Sequence, residues 1–188
     1  PLLQWSWMTT VPLRLAIKSS RPSLAVANGQ FFFIRRSSLA QTGGFEAIKS
    51  SVLDDIDLAR LLVRNGFHGG VCDGSTVAST RMYSNFTEIR AGYGKSLSQG
   101  FGGIVGSLAI AIVMAVSGVL PFIYAVSGST VATIALLLVI ASRMVSAFSS
   151  RSLLIDALLH PISTIIFIYL LLYSNLFRKQ ITWKGRAL

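Results

Sequence analysis

The sequence predicts an α/β domain followed by an α-helical transmembrane region. Three observations carry that expectation. Charge is partitioned: residues 1–100 hold eleven Lys/Arg and six Asp/Glu, whereas residues 101–188 hold six Lys/Arg and a single acid, Asp156. Long apolar runs in the second half reach the ~20 residues a spanning helix needs. In the first half, a short aromatic and β-branched run at Phe31–Ile34 precedes a helical pattern that opens on Asp54, the alternation expected of mixed α and β elements. The boundary falls near residue 100, giving a soluble part over 1–100 and a membrane region with a basic tail over 101–188.

Taken in order, Pro1 to Met8 is apolar with Trp5 and Trp7, too short to span, and reads as an interfacial amphipathic segment. The chain opens on Pro1 without a charged n-region or a small-residue cleavage site, so an N-terminal part is expected upstream. Residues 19–30 form a loop ending at Gly29, which permits close backbone approach. Phe31–Ile34 is expected to be a buried strand. Ser37 or Ser38 caps a short helix ending near Gly43-Gly44. Asp54 and Asp55 start an amphipathic helix that runs to about Asn65 and stops at Gly66. Ile56, Leu58, Leu61 and Leu62 supply its apolar face, with Arg60 and Arg64 on the other side. Residues 67–82 are expected to form two short strands turning at Gly69-Gly70 and Asp73-Gly74. Asn85 or Ser84 caps the next helix, through Glu88, Arg90 and Lys95.

Residues 103–126 then offer a span of about 24 residues without charge, containing Pro121. Residues 131–148 offer a second, interrupted by Arg143, after a turn at Ser127-Gly128-Ser129. Residues 158–173 offer a third and shorter one. With a cytosolic soluble part, three full spans would place the tail bearing Arg178, Lys179, Lys184 and Arg186 outside, against the preference of basic tails for the inside. Either one segment is re-entrant or interfacial, or a fourth crossing exists. The segment with Asp156 and His160-Pro161 is the prime suspect, because titratable groups and a proline sit badly in lipid.

The net charge of +10 does not indicate nucleic-acid binding, since the basic residues flank apolar segments instead of lining one face. The single cysteine, Cys72, excludes an internal disulfide and reads as a small apolar residue. His68 and His160 lack partners at ligand spacing, so no metal site is expected from them. No Gly-x-Ser-x-Gly context supports a hydrolase.

The stretch with most chemistry is Val52-Leu53-Asp54-Asp55-Ile56-Asp57-Leu58-Ala59-Arg60. Upstream lie Asn28-Gly29-Gln30-Phe31 and Gly43-Gly44-Phe45, and downstream Arg64-Asn65-Gly66 and Arg81-Met82-Tyr83. Their order and spacing over residues 24–100 resemble the acceptor-side half of a family 2 (GT-A type) inverting glycosyltransferase. The nearest branch is the membrane-bound one that acts on lipids, including carotenoid-type and hopanoid-associated enzymes. The resemblance implies a hexosyltransferase that moves one sugar from a nucleotide-sugar to a lipid or isoprenoid acceptor. It implies an integral protein of the cell (inner) membrane, with the catalytic part cytoplasmic.

Inverting transfer needs a base to take the acceptor hydroxyl proton, and a carboxylate at a helix N-terminus is held ionised for that task. By the resemblance the base is Asp55, the second acid of its pair, with Asp54 beside it. Asp57 points to another face. Gly43, Gly44 and Phe45 correspond to the loop shaping the acceptor site, Gln30 to a polar position near its floor, and Arg81 and Tyr83 to a group meeting donor phosphates. The bland alternatives remain open: first-turn acids complementing the helix dipole, a glycine C-cap, a strand-edge amide and a solvated arginine.

The Asp-x-Asp that holds a divalent cation (Mg or Mn) on the donor diphosphate belongs to a half expected upstream. No cation is therefore expected on this segment alone, which is also expected to be inactive by itself. The Gln-x-x-Arg-Trp of processive relatives is missing where Glu88–Lys95 stands, which points to single-sugar transfer. The expected partners are the bilayer, the nucleotide-sugar donor and the acceptor lipid, with no nucleic acid. The competing expectations are a non-catalytic membrane anchor or remnant, and a small transporter component.

Overall fold

The computed structural model describes residues 13–72, 74, 76–149, 153–177, 182–183 and 186–187. Contacts divide the chain into two units, Val11–Met82 and, among the described residues, Tyr83 onward.

The first unit is helical. It holds α1 (Leu13–Lys18), α2 (Arg36–Gln41) and α3 (Asp54–Arg64), with short 3-10 turns at Pro22–Leu24 and Gly44–Ile48. Both turns pack on α3, whose Leu58 and Ala59 are buried. The sequence dictates both ends of α3. Leu53 offers no capping side chain, but the Ser51 hydroxyl accepts from the Leu53 N–H (3.1 Å) and donates to Asp57 Oδ2. At the other end Gly66 sits at φ 79°, the Gly66 N–H meets the Val63 carbonyl and the Phe67 N–H meets the Leu62 carbonyl (3.1 and 3.0 Å). That paired bonding is the Schellman arrangement expected of a glycine stop.

The second unit contains α4 (Phe86–Gly100), α5 (Gly103–Met114), a π turn (Ala115–Val119), α6 (Leu120–Val126), α7 (Thr130–Ser149), the four-residue α8 (Ile155–Leu158) and α9 (His160–Leu176). Asn85 caps α4 by accepting from the Glu88 N–H (2.9 Å), while the Glu88 carboxylate accepts from Ser84 N–H and Asn85 Nδ2 (both 2.8 Å), a reciprocal box. Leu97 of α4, Ala111 and Met114 of α5, and Phe167, Leu170 and Leu171 of α9 form the core. The Ser174 hydroxyl donates to the Gly94 carbonyl and accepts from the Ser98 N–H (2.9 Å). It thus sits between the two partners of one turn of α4 and locks α9 to it. The π turn precedes Pro121, which has no N–H to continue the ladder, so the helix widens where a bond would be lost.

Two continuous helical segments, Gly103–Val126 and Thr130–Phe148, are long and apolar enough to cross a membrane, with mean hydropathies of 2.4 and 2.1. Many of their large apolar side chains face outward, among them Val105, Ile112, Val131, Leu138 and Val145. Helix α9 is a shorter apolar helix of 17 residues, and one whole face of it is buried.

The α/β expectation is corrected: the fold is all-α. Phe31–Ile34 is an extended segment without a ladder partner, and Phe31 and Phe33 meet edge-on at 4.8 Å, both exposed. Among the described residues of 67–82 there is no strand either. Short apolar runs satisfy strand and coil equally well, and a strand exists only where a neighbour supplies hydrogen bonds. The one ladder among the described residues is a two-residue antiparallel pair in the tail, β1 (Thr182–Trp183) with β2 (Arg186–Ala187), too small to form a layer. The expected interfacial segment at residues 1–8 lies outside the described residues.

Candidate functional site

The carboxylates at the start of α3 have separate surroundings. Asp55 is half-buried. Its Oδ2 accepts from the Gly29 N–H and its Oδ1 from its own helix's Ile56 N–H, both at 2.8 Å. The Gly29 turn is held by Asn28, whose side-chain oxygen accepts from the Gln30 N–H (3.1 Å) and whose carbonyl accepts from the Phe31 N–H (3.1 Å). A Cβ at position 29 would lie 3.3 Å from both Asp55 Cβ and Oδ2, so the close approach requires glycine. Two motifs 26 residues apart in sequence are therefore in direct contact.

Asp57 faces the other way. One oxygen takes the Ser51 hydroxyl and the other the Arg60 guanidinium (3.1 Å), so this acid fastens the helix start. Arg60 is thus partnered within its own helix, although its Nε is buried without a partner. Asp54 is exposed and accepts only weakly from the following N–H (3.2 Å). Asp55-Ile56-Asp57 spells an Asp-x-Asp, but a divalent cation would find both acids engaged by N–H, hydroxyl or guanidinium donors. Among the described residues no cluster of three His, Cys, Asp or Glu side chains converges. The arrangement does not fit a cation site.

Gly43 and Gly44 both lie in the left-handed region, at φ 76° and 60°, and set the 3-10 turn that packs on α3. Phe45 on that turn is 62% exposed, an apolar ring free to meet a ligand. Gln30 and Arg81 are exposed. Tyr83 belongs to the other unit. There it tilts against Tyr93 at 5.9 Å and lays its hydroxyl over Gly92, where an added Cβ would lie 2.1 Å from Tyr83 Oη. Burial pushes the Tyr83 phenol up, and burial with the Tyr83 neighbour pushes Tyr93 up to about 12. Tyr83 thus has the surroundings of a packing residue. Sequence reasoning missed Ser51 and its hold on Asp57. The signal was the Ser-x-x-Asp that precedes an apolar helical pattern.

No protein-family model, curated protein or solved structure matches this chain.

Proposed function

We propose that this chain forms the acceptor side and membrane region of a transferase that moves one sugar, with inversion, from a nucleotide-sugar to a lipid or isoprenoid acceptor. Asp55 is the base, with Asp54 beside it, and Gln30, Gly43, Gly44 and Phe45 border the acceptor. The observation that carries the reading is the Gly29–Asp55 hydrogen bond. It holds the carboxylate ionised and fixed, and it joins two of the sequence motifs on which the resemblance rests. Each Asp55 oxygen keeps a lone pair for an acceptor hydroxyl. The helices Gly103–Val126 and Thr130–Phe148 support a membrane location, where apolar acceptors reside. The cytoplasmic inner-membrane face is part of the same proposal. No step is routed through a divalent cation.

One observation favours a second reading. Both Asp55 oxygens already accept backbone N–H bonds, as they would in a non-catalytic membrane protein whose acid merely ties a loop to a helix. Membranes containing the complete polypeptide, supplied with labelled nucleotide-sugars, separate the two. Label in the lipid extract that depends on Asp55 supports transfer. Its absence across a donor panel, with the protein folded and inserted, supports the anchor.

A further inference from the structure

Arg143 lies fourteen residues into the apolar segment Thr130–Phe148 and is only 7% exposed. A buried guanidinium in such a helix demands a counter-charge. The unit that contains it is poor in acids: from residue 83 on, the sequence holds only Glu88 and Asp156. Glu88 is consumed at the start of α4, and neither acid forms an ion pair with Arg143. Within Coulombic range of Arg143 stands His160, 5% exposed at the first position of α9, whose Nε2 is buried without a hydrogen-bond partner. Its Nδ1 lies 3.5 Å from the Thr164 hydroxyl, which itself donates to the His160 carbonyl (2.9 Å). Helix α9 adds the positive end of its dipole and has no side-chain cap. Three electropositive features therefore converge with no anion among them.

We propose that Arg143, His160 and the N-terminus of α9 form a binding site for the phosphate headgroup of a lipid. The guanidinium fork matches two phosphate oxygens, and the imidazole, protonated by the bound anion, donates from Nε2 to a third. Depth fits this class. Arg143 is five residues from Phe148, about 7.5 Å along the helix, within reach of the hydrocarbon edge where lipid phosphates lie. Access passes the π turn. Gly118 there covers His160 Nε2 so closely that a Cβ would lie 3.0 Å from it and 2.9 Å from Thr164. The widened turn beside Pro121 is the element that moves. The site gives the acceptor of the proposed transfer a chemical class, an anionic phospholipid or isoprenoid phosphate. It depends on the membrane placement of that reading and not on sugar transfer itself.

The test reconstitutes the full chain in nanodiscs of phosphatidylcholine with a minor fraction of phosphatidic acid, and measures phosphatidic acid retained per chain after detergent exchange. The expected result is enrichment over phosphatidylcholine, reduced at least about tenfold in Arg143→Gln and His160→Gln. Arg143→Lys keeps the charge and the fold but loses the fork, so it retains an intermediate amount. Inorganic phosphate in excess displaces little of the lipid if the acyl chains contribute. Full displacement by inorganic phosphate overturns the lipid assignment in favour of free phosphate. Equal retention by wild type and Arg143→Lys and Arg143→Gln overturns the site altogether. Loss of sugar transfer with retained phosphatidic acid strikes only the functional reading.

Discussion

Replacing Gly29 by Ala tests the contact that joins the two motifs. The new methyl would lie 3.3 Å from Asp55 Cβ and Oδ2, tighter than ordinary packing, so the turn or the carboxylate must retreat by a few tenths of an ångström. Retreat lengthens the 2.8 Å bond from the Gly29 N–H to a charged acceptor. Hydrogen bonds to charged groups contribute about 1.5–3 kcal/mol, and the exposed turn places this one towards the low end. Opposing that loss, alanine restricts the unfolded chain and stabilises by about 0.4–1 kcal/mol, because Gly29 does not hold a left-handed conformation. The hydrogen bond prevails, and the net destabilisation is about 0.5–1.5 kcal/mol. For a cooperative unit of this size the Tm falls by roughly 2–12 °C. Thermal unfolding followed by circular dichroism reads the shift, and a double-mutant cycle with Asp55→Asn assigns it, since the two losses are less than additive if they share one bond. A Gly29→Ala protein more stable than wild type, with no coupling to Asp55, would refute the contact.

Two further outcomes follow from the second unit. Tyr93 has its phenol raised to about 12 in the folded chain against 10.0 unfolded, so its contribution is complete below pH 10. As pH climbs from about 10 to 12 the unfolded state ionises first and stability falls by about 2–3 kcal/mol, which Tyr93→Phe abolishes; denaturant titrations across that window measure it. The helices Gly103–Val126 and Thr130–Phe148 keep the protein in bilayers through carbonate and high-salt washing, whereas release into the wash would mark them as helices of a soluble fold.

Helix boundaries were legible wherever local chemistry decides them. Asp54 to Asn65 with its Gly66 stop, the Asn85 cap and the apolar segments all follow from caps, periodicity and length, which act within one or two turns. The strands were not legible, because Phe31–Ile34 and residues 67–82 carry residue types suited to a sheet without saying whether a partner strand exists. At the candidate site, the sequence marked Asp55 and the close approach of Gly29. It could not show that the N–H of that glycine lands on that carboxylate, a pairing set by tertiary packing. Nor could it tell Asp57 from Asp55 by function beyond the face each occupies. The Ser51 and Arg60 contacts make that distinction. Tyr83 read as a donor-phosphate residue by its motif, yet its surroundings are Gly92 and Tyr93, invisible from three-residue context.

The central claim is that Asp55 takes the acceptor proton. The most direct measurement compares initial rates of label transfer from nucleotide-sugar to membrane lipid for wild type, Asp55→Asn and Asp57→Asn in the complete polypeptide. Asparagine keeps size and still accepts from the Gly29 N–H, but it cannot take the proton. Turnover of Asp55→Asn therefore falls by roughly 10²–10⁴. Asp57→Asn loses the half-exposed Arg60 pair, worth at most about 1 kcal/mol of stability, and keeps most of its turnover. Near-normal transfer by Asp55→Asn, or equal losses in the two variants, contradicts the assignment and leaves the acids of this helix as structural groups.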